Sequence, residues 1–263
     1  MEKFLKTERK GSILTIRMDR PETHNALTDV GQMKEFTDLC YDLERDPSVK
    51  VIILTGNGKS FCSGGNVKDM RGRTGIFAGT PYELRNSYRT GIQTIPLALY
   101  NLEIPIIAAI NGAAIGAGLD LACMCDIRIA STKAIFAESF VRLGIVPGDG
   151  GAWLLQKVIG SPKASLMALT GQTIKADQAL AWDLVAEVVE ADQLEARAFE
   201  LAEQIAANPG PALRLTKRLL REAQHMKLDS LLEMSAAYQA LAHHTEEHSE
   251  AVDKFFNKKP KKT

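Results

Sequence analysis

Between residues 105 and 151 the sequence PIIAAINGAAIGAGLDLACMCDIRIASTKAIFAESFVRLGIVPGDGG sets dense glycines among apolar runs that are interrupted by acids. The run from Ile106 to Ile110 reads as a buried strand and Asn111-Gly112 as a turn. Gly116 to Asp120 then reads as a tight loop opening a short helix through LDLACMC. The first N–H groups of a helix have no intrahelical acceptor, so such a start suits an anionic oxygen. That oxygen could belong to a phosphate, a carboxylate, or the enolate formed when a carbonyl compound loses an α-proton. A second small-residue loop, SFCSGGNVKDM (60–70), follows the apolar strand VIILTG (51–56) and leads into another helix. Its Gly64 and Gly65 lack a Cβ and let the backbone approach a ligand closely. Asp120, in the first turn of its helix, is placed to satisfy free N–H groups there.

Positioning these loops requires a scaffold that alternates strands and helices. GSILTIRMDR (11–20) alternates as a strand ended by Pro21, and DVGQMKEFTDLCYDLERD (29–46) places Val30, Met33, Phe36, Cys40 and Leu43 on one helical face. RGRTGIFAGTPYELRNSYR (71–89) holds neither period and is read as a mobile flap or a segment ordered by ligand. TGIQTIPLALYNL (90–102) reads as a helix disturbed at Pro96. From 105 to 189 strands and helices alternate, the mark of an α/β fold. From Asp192 the pattern is helical alone, which divides the chain into a core (1–200) and a C-terminal all-helical subdomain (201–263).

Thirty-two basic and 32 acidic residues leave no net field to attract nucleic acid or an anionic membrane surface. The four cysteines do not form a disulfide framework. Cys123-Met-Cys125 reads as core packing, and His244 with His248 as the polar face of a surface helix, so no metal site is expected. The N-terminus has no apolar stretch of a secretory signal, no run is long enough to span a membrane, and the mean hydropathy is −0.09. A cytoplasmic protein is expected.

Five motifs carry a resemblance over nearly the whole length: RPETHNAL (20–27), FCSGGNVKDM (61–70), IPIIAAINGAAIGAGLDLACMCDIRIAS (104–131), LGIVPGDGG (143–151) and LTGQTIKADQALAWDLVAEVV (169–189). With these the chain resembles the crotonase (enoyl-CoA hydratase/isomerase) superfamily. The resemblance implies a repeated ββα spiral core followed by a helical subdomain used in oligomerisation, assembled as a homotrimer or a dimer of trimers. It implies an acyl-CoA substrate from fatty-acid-type metabolism and no separate cofactor, since coenzyme A is part of the substrate. It places the oxyanion hole at the backbone of Gly65 and Ala117, and CoA contacts at His24, Ala26, Cys62, Ser63, Gly64, Val67 and Lys258.

Three acids are carried over as candidate catalytic groups. Asp120 matches the first glutamate of the hydratases. Asp149 lies one residue after the catalytic aspartate of dienoyl-CoA isomerases, whose position here is Gly148. The second hydratase glutamate falls on Phe140, which cannot transfer a proton, so isomerisation is favoured over hydration. Glu138, two residues earlier, would share that side of an extended strand. The ranking is Asp149, then Asp120, then Glu138. A hydratase (lyase) proper, an acyl-CoA hydrolase or ring-opening enzyme, and a weakly catalytic acyl-CoA- or RNA-binding relative remain the alternatives.

Overall fold

The computed structural model describes residues 3–257; Lys258 lies outside them. β1 (Leu5–Lys10) and β2 (Ile13–Met18) form an antiparallel hairpin that turns through Gly11 at φ 60°. The sequence LKTERK of β1 buries only Leu5, so its charges hide a strand that pairing with β2 creates. α1 (Val30–Glu44) begins with a capping box in which Asp29 and Gln32 satisfy each other's backbone N–H. Its buried face is Met33, Phe36, Cys40 and Leu43 as expected, but Val30 is exposed and Gln32 takes the inner position.

Three units then repeat one plan. β3 (Val51–Gly56) and β4 (Ser60–Cys62) precede α2 (Val67–Gly72). α3 (Pro81–Thr90) and α4 (Thr94–Asn101) lead to the second unit, β5 (Ile106–Ile110), β6 (Ala113–Ile115) and α5 (Ala117–Met124). The third is β7 (Ile127–Ser131), β8 (Ile135–Ala137) and, beyond a 3-10 turn at Phe140–Leu143, α6 (Gly151–Ile159). In each unit the longer strand joins one sheet, ordered β1-β2-β3-β5-β7 and ending on β10 (Glu187–Val189), and the three-residue strand joins a second, ordered β4-β6-β8 and ending on β9 (Thr173–Lys175). α7 (Ser161–Thr170), β9 (Thr173–Lys175), α8 (Ala176–Ala181) and β10 (Glu187–Val189) complete the two sheets. This is the repeated ββα architecture, in an α/β fold with a C-terminal helical region.

β3 and β5 are buried on both faces, as parallel strands covered by helices must be. Met33 and Phe36 of α1 with Ile95 and Leu99 of α4 cover one face; Leu194, Ala198 and Ala202 of α9 (Leu194–Ala206) cover the other. Pro96 sits in the first turn of α4, where no N–H is needed, and so does not disturb that helix.

α10 (Gly210–Glu222) is pinned to the core by two buried cations. Lys217 Nζ reaches Asp126 at 2.8 Å and the carbonyl of Ile104 at 2.6 Å; Arg221 Nη2 reaches Asp126 at 2.9 Å. α11 (Leu228–His243) and α12 (Glu246–Phe256) bury no residue, leaving Leu228, Leu232, Leu241, Phe255 and Phe256 exposed. Among the described residues, no helix is long and apolar enough to cross a membrane.

Candidate active site

The site forms where β4, β6 and β8 end side by side. Parallel pairing aligns Cys62 with Ala114 and Ala114 with Phe136, so the loops leaving these strands emerge together. After β4 the chain passes through Gly64 at φ 84°, where any Cβ would lie 2.6 Å from the carbonyl oxygen of Ile115. After β6 it passes through Gly116 at φ 53°, whose N–H donates to Ala137 of β8 at 2.8 Å, and enters α5 without a side-chain cap. Ala117 is the first residue of that helix, so its N–H is one of the four without an intrahelical acceptor. A Cβ on Gly118 would overlap the carbonyl of Cys62, so only glycine lets α5 lie this close to the β4 loop.

The RPETHNAL turn is fastened to the same loop. Ser63 N–H donates to His24 O at 3.0 Å, Leu27 N–H donates to Gly64 O at 2.9 Å, and Ser60 Oγ lies 3.2 Å from His24 Nδ1. Asn25, fully buried, was not among the sequence candidates; its Nδ2 donates to the carbonyls of Asn57, Ser60 and Phe61. Ala26 and Cys62 are buried, burial pushing the Cys62 thiol up to about 12, while Val67 is exposed on α2.

Gly65 and Ala117 line one cavity of about 30 Å³, with Leu27, Met70, Ile76, Phe77, Tyr88, Ile92, Phe140, Ile145 and Asp149. Asp149 is the one carboxyl in that lining. It is 5% exposed, and this burial raises its pKa from 3.8 to about 6. The Phe140 ring packs over Gly116, 3.5 Å from where a Cβ would stand. Met70, Phe77, Tyr88 and Ile92 had no individual signal in the sequence: Phe77 and Tyr88 lie in the 71–89 stretch that held neither period, Met70 closes the FCSGGNVKDM motif, and Ile92 lies in the 90–102 run read as a helix.

Asp120 and Glu138 come together elsewhere. Neither lines the cavity; both are buried against Gly151, the first residue of α6, where a Cβ would overlap Asp120 Oδ1 and Glu138 Oε1. Gly151 N–H donates to Asp120 Oδ2 at 3.0 Å. Glu138 parts from Phe140 because β8 ends at Ala137 and Ser139, at φ −93° and ψ 8°, starts the 3-10 turn, so period-two alternation stops between them. Burial, Glu138 and Asp149 raise the Asp120 pKa well above its ordinary value. Burial likewise raises Glu138 from 4.5 to about 7, and the hydrogen bond from Asp120 opposes that rise.

A family model described as enoyl-CoA hydratase/isomerase matches residues 8–262. The chain belongs to that family. It is 32% identical to the 1,2-epoxyphenylacetyl-CoA isomerase of Escherichia coli over 259 residues, covering 98% of this chain and 97% of the relative. It is 34% identical to the short-chain-enoyl-CoA hydratase of Clostridium acetobutylicum over 253 residues, 96% of this chain and 94% of that one. The crystal structure of an enoyl-CoA hydratase from Bacillus anthracis superposes with a TM-score of 0.89 at 30% identity, covering 97% of this chain and 96% of that chain. Members of the enoyl-CoA hydratase/isomerase family are enzymes, and this chain shares their fold over 97% of its length.

Proposed function

We propose that the protein is an enoyl-CoA isomerase in which Asp149 moves the proton and the N–H groups of Gly65 and Ala117 hold the thioester oxygen. The observation that carries this reading is the cavity lining: Gly65 and Ala117 from the two loops, one carboxyl at Asp149, and a phenyl ring at Phe140. Ionised Asp149 takes a proton from the acyl chain. The electron pair of that C–H bond moves onto the thioester oxygen as an enolate, and two N–H donors favour that charge in a water-poor site. The same proton returns to a different carbon, so the double bond shifts with no net gain or loss. A pKa of about 6 leaves Asp149 ionised at neutral pH yet close enough to that range to be reprotonated.

Hydration makes a further demand, because water must be activated and a carbon protonated on one face. Asp149 alone supplies one of those roles, and Phe140 supplies neither. CoA itself would run along His24, Ala26, Cys62, Ser63, Gly64 and Val67, with Lys258 on its phosphates, and no separate cofactor is required. The assembly is a homotrimer or a dimer of trimers, in which the exposed apolar side chains of α11 and α12 face neighbouring copies.

The cavity, about 30 Å³, is roughly the share of one water molecule in the liquid, so an acyl group enters only as Met70, Phe77 and Tyr88 shift. The test is a panel of 2-enoyl-, 3-enoyl- and dienoyl-CoA thioesters with the native protein and Asp149→Asn. Isomerisation should dominate in the native protein and fall by about 10² to 10⁴ in the variant. Fast hydration of crotonyl-CoA that survives Asp149→Asn would refute the reading.

A further inference from the structure

Asp120 and Glu138 are two carboxyls sealed in the same spot, at 0% and 1% exposure. Leaving aside one another, Asp120 Oδ1 and both Glu138 oxygens have no hydrogen-bond partner. Unpaired buried oxygens are costly, and two neighbouring carboxylates shielded from water repel strongly. One retained proton removes both penalties. It turns Asp120 Oδ1 into a donor to Glu138 while Asp120 Oδ2 goes on accepting the Gly151 N–H.

Gly151 stands two residues beyond Asp149, so whatever fixes its amide fixes the turn that aims Asp149. We infer that Asp120 and Glu138 are positioning residues for Asp149: a neutral Asp120 bridges the Gly151 amide and the Glu138 carboxylate, clamping the Asp149-Gly150-Gly151 turn against the cavity. This rests on the reading of Asp149 as the proton-transfer group. The titratable groups facing the pair are Asp149 itself, which opposes loss of the last proton, and the Cys123 thiol on α5, held neutral by burial. Arg128, the cation that acts on Cys123, is occupied by the carbonyls of Leu184, Ala122 and Cys125.

The arrangement makes the proton part of the clamp. On the alkaline side the last proton leaves, the two carboxylates repel, and the turn is released, so the native kcat falls there. Asp120→Asn keeps the bridge, since an amide accepts from Gly151 and donates to Glu138. Glu138→Gln keeps it too, because its amide accepts from Asp120. Neither amide titrates.

The experiment measures kcat and KM from pH 5 to 10 for the native protein, Asp120→Asn, Glu138→Gln and Asp120→Ala on the best isomerase substrate. Both amide variants are expected within about tenfold of native kcat, with the alkaline fall gone, and Asp120→Ala should lose kcat with KM nearly unchanged. Should Asp120→Ala not fold, the pH profiles of the two amide variants decide alone. An unchanged alkaline limb in both amide variants overturns the inference. So does a loss of 10²-fold or more in Asp120→Asn, the size expected if Asp120 itself moves the proton. Turnover unaffected by Asp149→Asn would instead strike the reading beneath it.

Discussion

Replacing Glu138 by glutamine should change how stability depends on pH, and the size of the change follows from its burial. In the folded protein Glu138 gives up its own proton only at about pH 7, leaving the last one on Asp120, whereas its ordinary value is 4.5. At about 1.36 kcal/mol per pKa unit, that gap is roughly 3 kcal/mol. Because the folded state binds more protons than the unfolded chain between these values, stability is full below about pH 4.5 and is lost as pH rises through about 7. Asp149, raised from 3.8 to about 6, acts in the same sense over a lower window. Asp19 acts in the opposite sense: its hydrogen bond from Lys6 holds its carboxyl below the ordinary value, so its stabilisation is lost only toward acid. Urea denaturation of the native protein at pH 5, 6, 7 and 8 should therefore show a falling free energy, and Glu138→Gln a flatter one. The two lines should diverge by up to ~3 kcal/mol, less whatever part of the shared proton Asp120 keeps. Equal slopes for the two proteins would refute the buried acid pair.

Two further substitutions probe the site and its support. Phe140→Glu places a carboxyl in the cavity wall and should raise crotonyl-CoA hydration by about 10-fold or more if that carboxyl works with Asp149, read as the ratio of hydration to isomerisation. Asp126→Ala leaves Lys217 and Arg221 buried without their shared carboxylate and should cost about 3 kcal/mol or more in urea denaturation, moderated by the carbonyls of Ile104 and Met124 that still accept from them.

The long strands and the longer helices were legible because burial writes its period into the sequence, as in VIILTG of β3 and the Met33, Phe36, Cys40, Leu43 face of α1. The second sheet was not, because β4, β6 and β9 are three residues long and too short to show any period; they exist through pairing with one another and with β8. α3 was missed although it carried a local signal: Thr80-Pro81-Tyr82-Glu83 forms a capping box with proline in the first turn. Its apolar residues are only partly buried, so the helical period faded between Gly79 and Gly91. The two glycine loops were readable as tight turns leading into helices, and Gly64 and Gly116 adopt positive φ there. The separation of Glu138 from Phe140 was not, because it depends on the chain leaving the strand at Ser139, where nothing in residue type marks the change.

α5 ties these parts together. All eight residues, Ala117–Met124, are buried, an uncommon condition for a helix this short, and each end is spent on a different task. Its first residue, Ala117, lines the cavity, and Asp120, in its first turn, reaches across to the start of α6. At the far end the Met124 carbonyl and Asp126 hold Arg221 of α10 at 3.2 and 2.9 Å. A fully buried helix packed against α6 and α4 as well as β4 and β6 cannot shift at one terminus without moving the other, since close-packed interiors transmit strain. The helical C-terminal region is thereby anchored to the element whose first residue, Ala117, lines the cavity. Loosening α10 should accordingly lower turnover before it unfolds the sheets, and Asp126→Ala would show this as a loss of kcat at urea concentrations where the native protein remains fully active.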